Sequence, residues 1–194
     1  MKLLLLRCPK CNQALSPGQD DRVIQCPNCH EAVSLDEDGL RLLPVQYVTP
    51  IQPRPEAWLP FWVYRGEVTI QVRETQGGRS AEDEARAFWA KTRFVYIPAW
   101  SCELAEARAL ATDLLQKQPL LMAVSPPEGA TFPPVALAPE DGRKLVELVI
   151  VSIEAGRRDW MERLKYDLRL DSEALWLLPA RRDGDGWALL IKGL

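Results

Sequence analysis

The clearest hydrophobic pattern in the chain is an alternation of apolar and polar positions across residues 61–73. Its apolar positions include Val68, Ile70 and Val72. A period of two is typical of a β-strand that has one face on a core and the other in solvent. Gly77-Gly78 follows this stretch and is expected to end the strand.

Shorter apolar runs predict further strands. They span residues 94–97, 120–124, 164–170, 174–178 and 187–191. We expect the run at 120–124 to be a short buried strand because its residues are almost all apolar. The sequence Asp183-Gly184-Asp185-Gly186 is turn chemistry, and it predicts a turn between the last two strands.

Three segments predict helices: residues 80–89, 101–119 and 140–156. Ser80 and Ser101 are the expected N-caps of the first two. The third opens with proline followed by two acidic residues, which suits a first helical turn. It is apolar nearly all round, so it is either a helix buried between layers or a central strand. Together the elements predict an α+β fold, a mostly antiparallel sheet domain with two or three helices packed on one face.

A change in composition divides the chain. Residues 1–43 contain two CxxC pairs and no aromatic residue, whereas all seven tryptophans lie in residues 44–194. We predict a small N-terminal domain (1–43), a proline-rich linker (44–57) and an α+β domain (58–194). Four prolines in the linker disfavour regular structure, so the linker is expected to be an extended connector that holds the small domain at a defined distance.

The two CxxC pairs predict a metal site. Their members are Cys8, Cys11, Cys26 and Cys29. Two sulfurs from each of two tight turns can complete a tetrahedron around one ion, and the spacing between the pairs is close to that of structural zinc sites. The residue after each second cysteine often needs a positive φ. Here Asn12 and His30 occupy these positions, and both residue types tolerate that conformation.

Residues 5–43 resemble the zinc-ribbon and rubredoxin-type knuckle families, in which CPxC is followed by glycine. The resemblance implies one structural Zn²⁺ held by four thiolates. The start of the chain, residues 1–7, has an apolar run of only four residues and leads directly into Cys8, so we interpret it as the first strand of the ribbon. Iron with electron transfer is an alternative, but this segment lacks the aromatic residues that would shield the metal. His30 as a substitute ligand is a further alternative, although four cysteines already complete the site.

The charged residues along the chain do not indicate a polyanionic partner. The formal charge is −3, with 24 basic and 27 acidic residues interspersed. The first 43 residues carry five basic against six acidic side chains and no aromatic platform, so a nucleic-acid-associated factor is the less favoured alternative. Two CxxC pairs and the lone Cys102 fit a reducing compartment, which predicts the cytoplasm. No apolar stretch reaches the roughly 18 to 20 residues of a membrane span, which leaves only peripheral membrane contact.

Catalytic constellations are missing from the sequence. The sole histidine, His30, adjoins a CxxC pair, and phosphate-binding glycine motifs are absent. Cys102 is interpreted as a small buried hydrophobe, with a reactive thiol near a helix start as the alternative. We therefore expect the protein not to be an enzyme.

The tryptophans cluster around short proline motifs such as Trp58-Leu59-Pro60. We interpret the tryptophans first as anchors of the hydrophobic core, and second as parts of a surface that binds a partner. Trp58, Trp62 and Trp100 are the candidates for an exposed rim. The functional hypothesis is a zinc-ribbon adaptor or accessory subunit that binds a larger protein assembly through its Trp/Pro-rich domain.

Overall fold

The computed structural model describes residues 6–36, 39–52, 54–76, 80–184 and 186–194. In chain order its elements are β1 (Val23–Gln25), β2 (Ala32–Asp36), β3 (Gly39–Leu42), β4 (Val45–Val48), β5 (Ala57–Gln76), α1 (Ser80–Trp89), β6 (Arg93–Pro98), α2 (Leu104–Lys117), β7 (Ala123–Val124), α3 (Pro139–Ala155), β8 (Trp160–Asp183) and β9 (Gly186–Leu189). The predicted α+β class is confirmed. Most of the expected first strand at residues 1–7, and the expected stop at Gly77-Gly78, lie outside the described residues.

Two long strands, β5 and β8, form the centre of the main sheet. They pair antiparallel from Ala57–Ala180 at one end to Gln76–Trp160 at the other. The strand order is β6-β5-β8-β4-β7, with β9 also on β8, and β4 with β8 is the parallel pair. The sheet is thus mostly antiparallel, as expected. The two strands predicted at 164–170 and 174–178 are parts of the single strand β8. Asp183 of β8 pairs with Gly186 of β9, and Asp185 of the predicted turn lies outside the described residues.

A bulge reverses the side-chain alternation of β5. Ile70 pairs with Tyr166 and Val72 pairs with Lys165, so Gln71 is an extra residue in β5. Before it, Ile70 points into the core. After it, Arg73 is the buried residue and Val72 is only half-buried. An extra residue shifts every later side chain to the opposite face, which is why the apolar alternation in the sequence does not continue as predicted.

The two faces of the main sheet carry separate hydrophobic clusters. One contains Trp62 and Tyr64 of β5 with residues of α1 and α3. The other contains Phe61 of β5 with Trp100. Helix α2 supplies Leu115 to the first cluster and Leu114 to the second. Both faces of β5 are therefore covered at this level.

The three helices lie where the sequence predicts them, but the N-cap of α2 does not. All three are present, and none among the described residues is long and apolar enough to cross a membrane. The N-cap of α2 is Glu103, without a side-chain hydrogen bond, so the prediction of Ser101 as the cap is wrong. Helix α3 is a helix and not a central strand. It buries one face and leaves Leu148 and Val151 partly exposed.

Two other predictions need correction. The run at 120–124 is not a buried strand: only its last two residues form β7, and both are exposed because β7 lies at the end of the sheet. The segment 44–57 includes regular structure, since β4 belongs to the main sheet. Pro44 and Pro50 flank β4, at positions where a missing N–H interrupts no ladder.

The N-terminal module, residues 6–43, packs directly against the main sheet domain. Its strands β1, β2 and β3 form a separate antiparallel sheet. Val23 of β1 forms an antiparallel bridge with Val135, and the N–H of Val135 donates to the carbonyl of Val23 at 2.8 Å. Val23 and Ala32 belong to the same buried cluster as Trp58. The module therefore shares a core with the larger domain, and no extended connector holds it at a distance.

Candidate metal centre

The first cysteine turn is closed by two backbone hydrogen bonds. The N–H of Asn12 donates to the carbonyl of Cys8 at 2.9 Å, and the N–H of Cys8 donates to the carbonyl of Gln13 at 2.8 Å. Asn12 has a φ of +59°, as predicted for the residue after the second cysteine. Asparagine can adopt this conformation because its short polar side chain tolerates the left-handed region.

The second turn repeats the first. The N–H of His30 donates to the carbonyl of Cys26 at 3.0 Å, and the N–H of Cys26 donates to the carbonyl of Glu31 at 2.9 Å. The φ of His30 is also +59°. Among the described residues, the group of side chains that could hold a metal ion consists of the four cysteines and does not include His30. The alternative of His30 as a metal ligand therefore finds no support.

The four sulfurs converge on one point. All four Sγ atoms lie within 4.8 Å of one another. Sγ of Cys8 lies 3.6 Å from Sγ of Cys29, and Sγ of Cys11 lies 3.5 Å from Sγ of Cys26. In a tetrahedron with metal–sulfur bonds of about 2.3 Å, neighbouring sulfurs are ~3.8 Å apart. The contacts are far longer than the ~2.05 Å of a disulfide, so the arrangement fits four thiolates around a single ion.

A small apolar cluster supports the sulfurs. Cys8 and Cys26 are buried together with Leu15, Ile24 and Val33. The other two cysteines are half-buried. Each turn thus contributes one sulfur to the interior and one nearer the surface. Four protein ligands around one ion would leave the coordination sphere no open position for a substrate.

Hydrogen bonds and burial shift the pKa values of the two half-buried thiols, Cys11 and Cys29, in opposite directions. The side-chain amide of Asn28 and the backbone N–H of Gln13 lower the pKa of Cys11 to about 6. Burial raises the pKa of Cys29 to about 12, opposed by a backbone hydrogen bond from Glu31. A bound cation would favour the thiolate at every position, because ligation requires deprotonation.

Two side chains connect the turns to each other and to the main domain. Lys10 of the first turn forms an exposed ion pair with Glu31, which follows the second. Gln25 is the stronger connection, because its Nε2 donates to the carbonyl of His30 at 3.2 Å and to that of Ala130 at 2.9 Å. One amide thereby joins a metal-binding turn to the long loop before α3.

The tryptophans proposed as an exposed rim are in the core. Trp58 and Trp62 are each 4% exposed and Trp100 is 9% exposed. The indole N–H of Trp62 donates to the carbonyl of Leu137 at 2.8 Å. The rim assignment is wrong because Trp58 and Trp62 lie on β5, a central strand that is covered on both faces, and because Trp100 packs against Phe61 of that strand with ring centroids 5.2 Å apart. The most exposed tryptophan is Trp160 (72%), which has no proline motif beside it and which the sequence reasoning did not single out.

Cys102 is half-buried just before α2. Burial, then the carboxylates of Glu106 and Glu103, raise the pKa of its thiol to about 11. These effects outweigh any stabilisation of a thiolate by the helix N-terminus. The thiol is therefore protonated at neutral pH, which argues against the reactive-thiol alternative.

Chemically, the cysteine cluster can hold a metal ion in a closed site, and it offers no place for a reacting group. Neither a scan against models of protein families nor searches of curated proteins and of solved structures finds a match to this chain.

Proposed function

We propose that the N-terminal module is a zinc ribbon and that the protein is a zinc-stabilised accessory subunit that docks onto a larger protein assembly in the cytoplasm. The observation that carries the proposal is the four-sulfur cluster, whose sulfur–sulfur distances fit a tetrahedral site and whose ligand set is complete. A closed site of this kind contributes folding energy and leaves no position for catalysis.

The residues around the four sulfurs favour zinc over iron as the bound metal. Four thiolates suit both metals, but a redox centre would be expected to have aromatic shielding. Residues 1–43 contain no aromatic side chain, and two of the four sulfurs are half-exposed. A metal without redox chemistry fits this environment better.

The zinc would organise a composite surface. The bridge between Val23 and Val135, and the contact from Gln25 to Ala130, tie the metal-binding module to the main domain. Loss of the metal should loosen these contacts, so partner binding should depend on the metal even where the partner touches only the main domain.

Exposed apolar side chains beside β7 are the surface that best suits a protein partner. We define the β7-edge patch as Ile51, Leu120 and Met122, which are 57%, 80% and 63% exposed. The N–H and the hydroxyl of Thr49 both donate to the carbonyl of Met122, which holds the two segments side by side. Large apolar side chains grouped in this way are typical of protein interaction sites. The expected occupant is an apolar surface of a protein partner, because the mixed charges of the chain favour no nucleic acid.

Metal analysis of the purified protein tests the first half of the proposal. We expect one zinc per chain, held against mild chelators and released on denaturation. Red protein with one iron per chain would instead support the electron-transfer alternative.

Affinity capture from the native cells tests the second half. We expect a stoichiometric protein partner that is lost with the double variant Leu120→Glu/Met122→Glu and retained with Leu104→Glu, a control leucine that is also exposed but lies on α2. Equal capture by all three proteins would rule out the β7-edge patch as the docking site. Salt-sensitive recovery of nucleic acid in place of a protein would favour the nucleic-acid alternative.

A further inference from the structure

One long stretch of β8 has an unpaired backbone edge. Residues 163–170 pair with β5 on one side. Within the described residues no strand lies on their other side, because β4 pairs with residues 175–177 and β9 with residues 180–183. The pairing with β5 places no extra residue in β8 between 163 and 170, so eight residues present a regular row of backbone donors and acceptors.

Three other edges of the main sheet are partly blocked, interrupted or short. Along β6, the side-chain amide of Gln118 donates to the carbonyl of Phe94 at 2.7 Å and accepts from its N–H at 2.9 Å. Along β5 beyond β6, Nη1 of Arg86 donates to the carbonyl of Ile70 at 2.9 Å. Strand β7 is only two residues long. The edge of β8 differs from these, because β5 is interrupted by the extra residue Gln71, β7 is short, and Gln118 occupies part of the edge of β6.

The side chains of this stretch have a strict two-sided pattern. On the core side lie Leu164, Tyr166, Leu168 and Leu170, all only half-buried against the first hydrophobic cluster. On the solvent side lie Arg163, Lys165, Asp167 and Arg169, all exposed. A neighbouring strand would cover the apolar row on one face and meet a row of both charge signs on the other.

We propose that a second copy of this chain pairs with this edge, strand β8 against strand β8, antiparallel about a two-fold axis at Leu168. In this register Asp167 of each copy lies opposite Arg169 of the other, which gives two oppositely charged pairs. On the core side Tyr166 lies opposite Leu170 and Leu168 lies opposite itself. Lys165 faces Asp171, where the bulge of β8 begins. Opposite charges and apolar pairs directly across a sheet both stabilise antiparallel pairing.

Charge complementarity selects this register over its neighbours. Two residues directly opposite each other in an antiparallel pair have their side chains on the same face of the sheet. A two-fold axis between two copies of β8 must therefore pass through a residue, and alternative registers move it by whole residues along the strand. An axis at Tyr166 places Lys165 opposite Asp167, but it also places Arg163 opposite Arg169. An axis at Asp167 places that carboxylate opposite itself and Lys165 opposite Arg169. Like charges directly across a sheet are destabilising, whereas the axis at Leu168 produces none.

This inference goes beyond the proposed function and does not depend on it. It requires neither the metal site nor the β7-edge patch. A symmetric pair joined at β8 would present both of these features twice, because an isologous interface repeats every surface on its partner.

Analytical ultracentrifugation of the full chain over a range of concentrations provides the test. We expect a reversible monomer–dimer equilibrium for the wild type. Asp167→Arg and Arg169→Asp should each weaken dimerisation by about tenfold or more, because each variant converts two attractive pairs into two repulsive ones. Mixing the two variants should restore the dimer, since the mixed pair has arginine opposite aspartate at both positions. The charge-matched controls Asp20→Arg and Arg108→Asp, at exposed positions outside β8, should behave as the wild type does.

Three outcomes would overturn the proposal. One is a wild type that remains monomeric up to millimolar concentration. Another is tighter dimerisation of the Arg169→Asp variant alone, because with an axis at Tyr166 the new carboxylate would lie opposite Arg163 and replace a repulsive pair with an attractive one. The third is a mixture of the two variants that stays as monomeric as each alone, which would mean that these two residues do not face each other.

Discussion

Nε of Arg73 donates a 2.8 Å hydrogen bond to Oε2 of Glu154, and both side chains are completely buried. The same guanidinium forms a bidentate contact with Asp159, in which Nη2 lies 2.8 Å from Oδ1. The indole N–H of Trp89 donates to Oε1 of Glu154 at 2.7 Å. This network ties β5 to α1, to α3 and to the residue before β8, and both of its carboxylates are satisfied. A buried charge is tolerated only under such conditions.

Removal of the guanidinium should unfold the protein far more easily. Arg73→Met leaves Asp159 without its cation and leaves Glu154 with Arg157 alone, and we expect the free energy of unfolding to fall by about 3 kcal/mol or more. Urea denaturation at pH 7 measures this. Arg65→Met is the matched control, because Arg65 lies on the same strand but is exposed, and it should change stability by less than about 0.5 kcal/mol. Equal effects of the two substitutions would contradict the structural role of the network.

The same network should give the protein a defined acid sensitivity. Hydrogen bonding to Arg73 holds the pKa of Asp159 below its ordinary value of 3.8. The unfolded chain therefore takes up this proton at a higher pH than the folded chain does. The stabilisation is complete above the unfolded pKa and is lost as the pH falls through the lower, folded pKa. The stability difference between wild type and Asp159→Asn should be constant from pH 7 to about 5 and should shrink below pH 4. Asp113→Asn, at an exposed ion pair on α2, is the control for loss of a surface carboxylate and should change the free energy of unfolding at pH 7 by less than about 0.5 kcal/mol.

The sequence predicts the metal site in more detail than it predicts the main sheet. The spacing of the cysteines and the residue types at Asn12 and His30 are local information, and the structure has both the sulfur cluster and the positive φ values. Local sequence information does not predict that Arg73 is buried, because its side chain faces inward only as a consequence of the bulge at Gln71. A bulge depends on how two strands distant in sequence align, and no pattern within β5 records it.

The long strand β8 shows the same limit. The polar residues 171–173 interrupt an apolar pattern, and the sequence therefore predicts two strands. In the structure the chain passes through a bulge at this point and continues as one strand to Asp183. The misplaced tryptophan rim has a related cause. Proline motifs indicate strand edges in general, but Pro60 pairs with Leu177 of β8 on one side and accepts a hydrogen bond from the N–H of Ala99 on the other, directly before the ladder with β6 begins.

Substitution of one of the four cysteines should weaken the contacts between the N-terminal module and the main sheet domain. Cys26→Ser removes one of the two buried sulfurs, so we expect loss of the bound zinc and faster amide hydrogen exchange in β1 and β2. Exchange at Val135 should also accelerate, because its N–H is bonded to Val23. Cys102→Ser is the control and should keep one zinc per chain with unchanged exchange. Retention of zinc by Cys26→Ser would show that the metal is not held by this cluster.

Cys102 should behave as an unreactive thiol. A pKa of about 11 leaves roughly one molecule in a thousand as thiolate at pH 8, and the thiolate is the nucleophile. Alkylation of the zinc-loaded protein by iodoacetamide, followed at this residue by mass spectrometry, should therefore be slow at pH 8 and rise up to about pH 11. Glu106→Gln should move this rise to lower pH, because one of the nearby negative charges is removed. Rapid labelling at pH 7 would revive the interpretation of Cys102 as a catalytic thiol.

Gly142 of α3 should tolerate no side chain while Tyr64 is present. A Cβ atom at Gly142 would lie 2.3 Å from Oη of Tyr64 and 3.3 Å from its Cζ. That hydroxyl is held in place because it donates to the carbonyl of Pro139 at 2.6 Å. In an open helix, Gly→Ala stabilises by about 1 kcal/mol, but here the close contact should reverse the sign and make Gly142→Ala destabilising. The substitution should be better tolerated in a Tyr64→Phe background, which removes the nearest atom. A double-mutant cycle by urea denaturation measures the coupling, which we expect to be at least about 1 kcal/mol in favour of the double variant. Additive effects would mean that the helix and the tyrosine can move apart at no cost, and would contradict the close packing of α3 on β5.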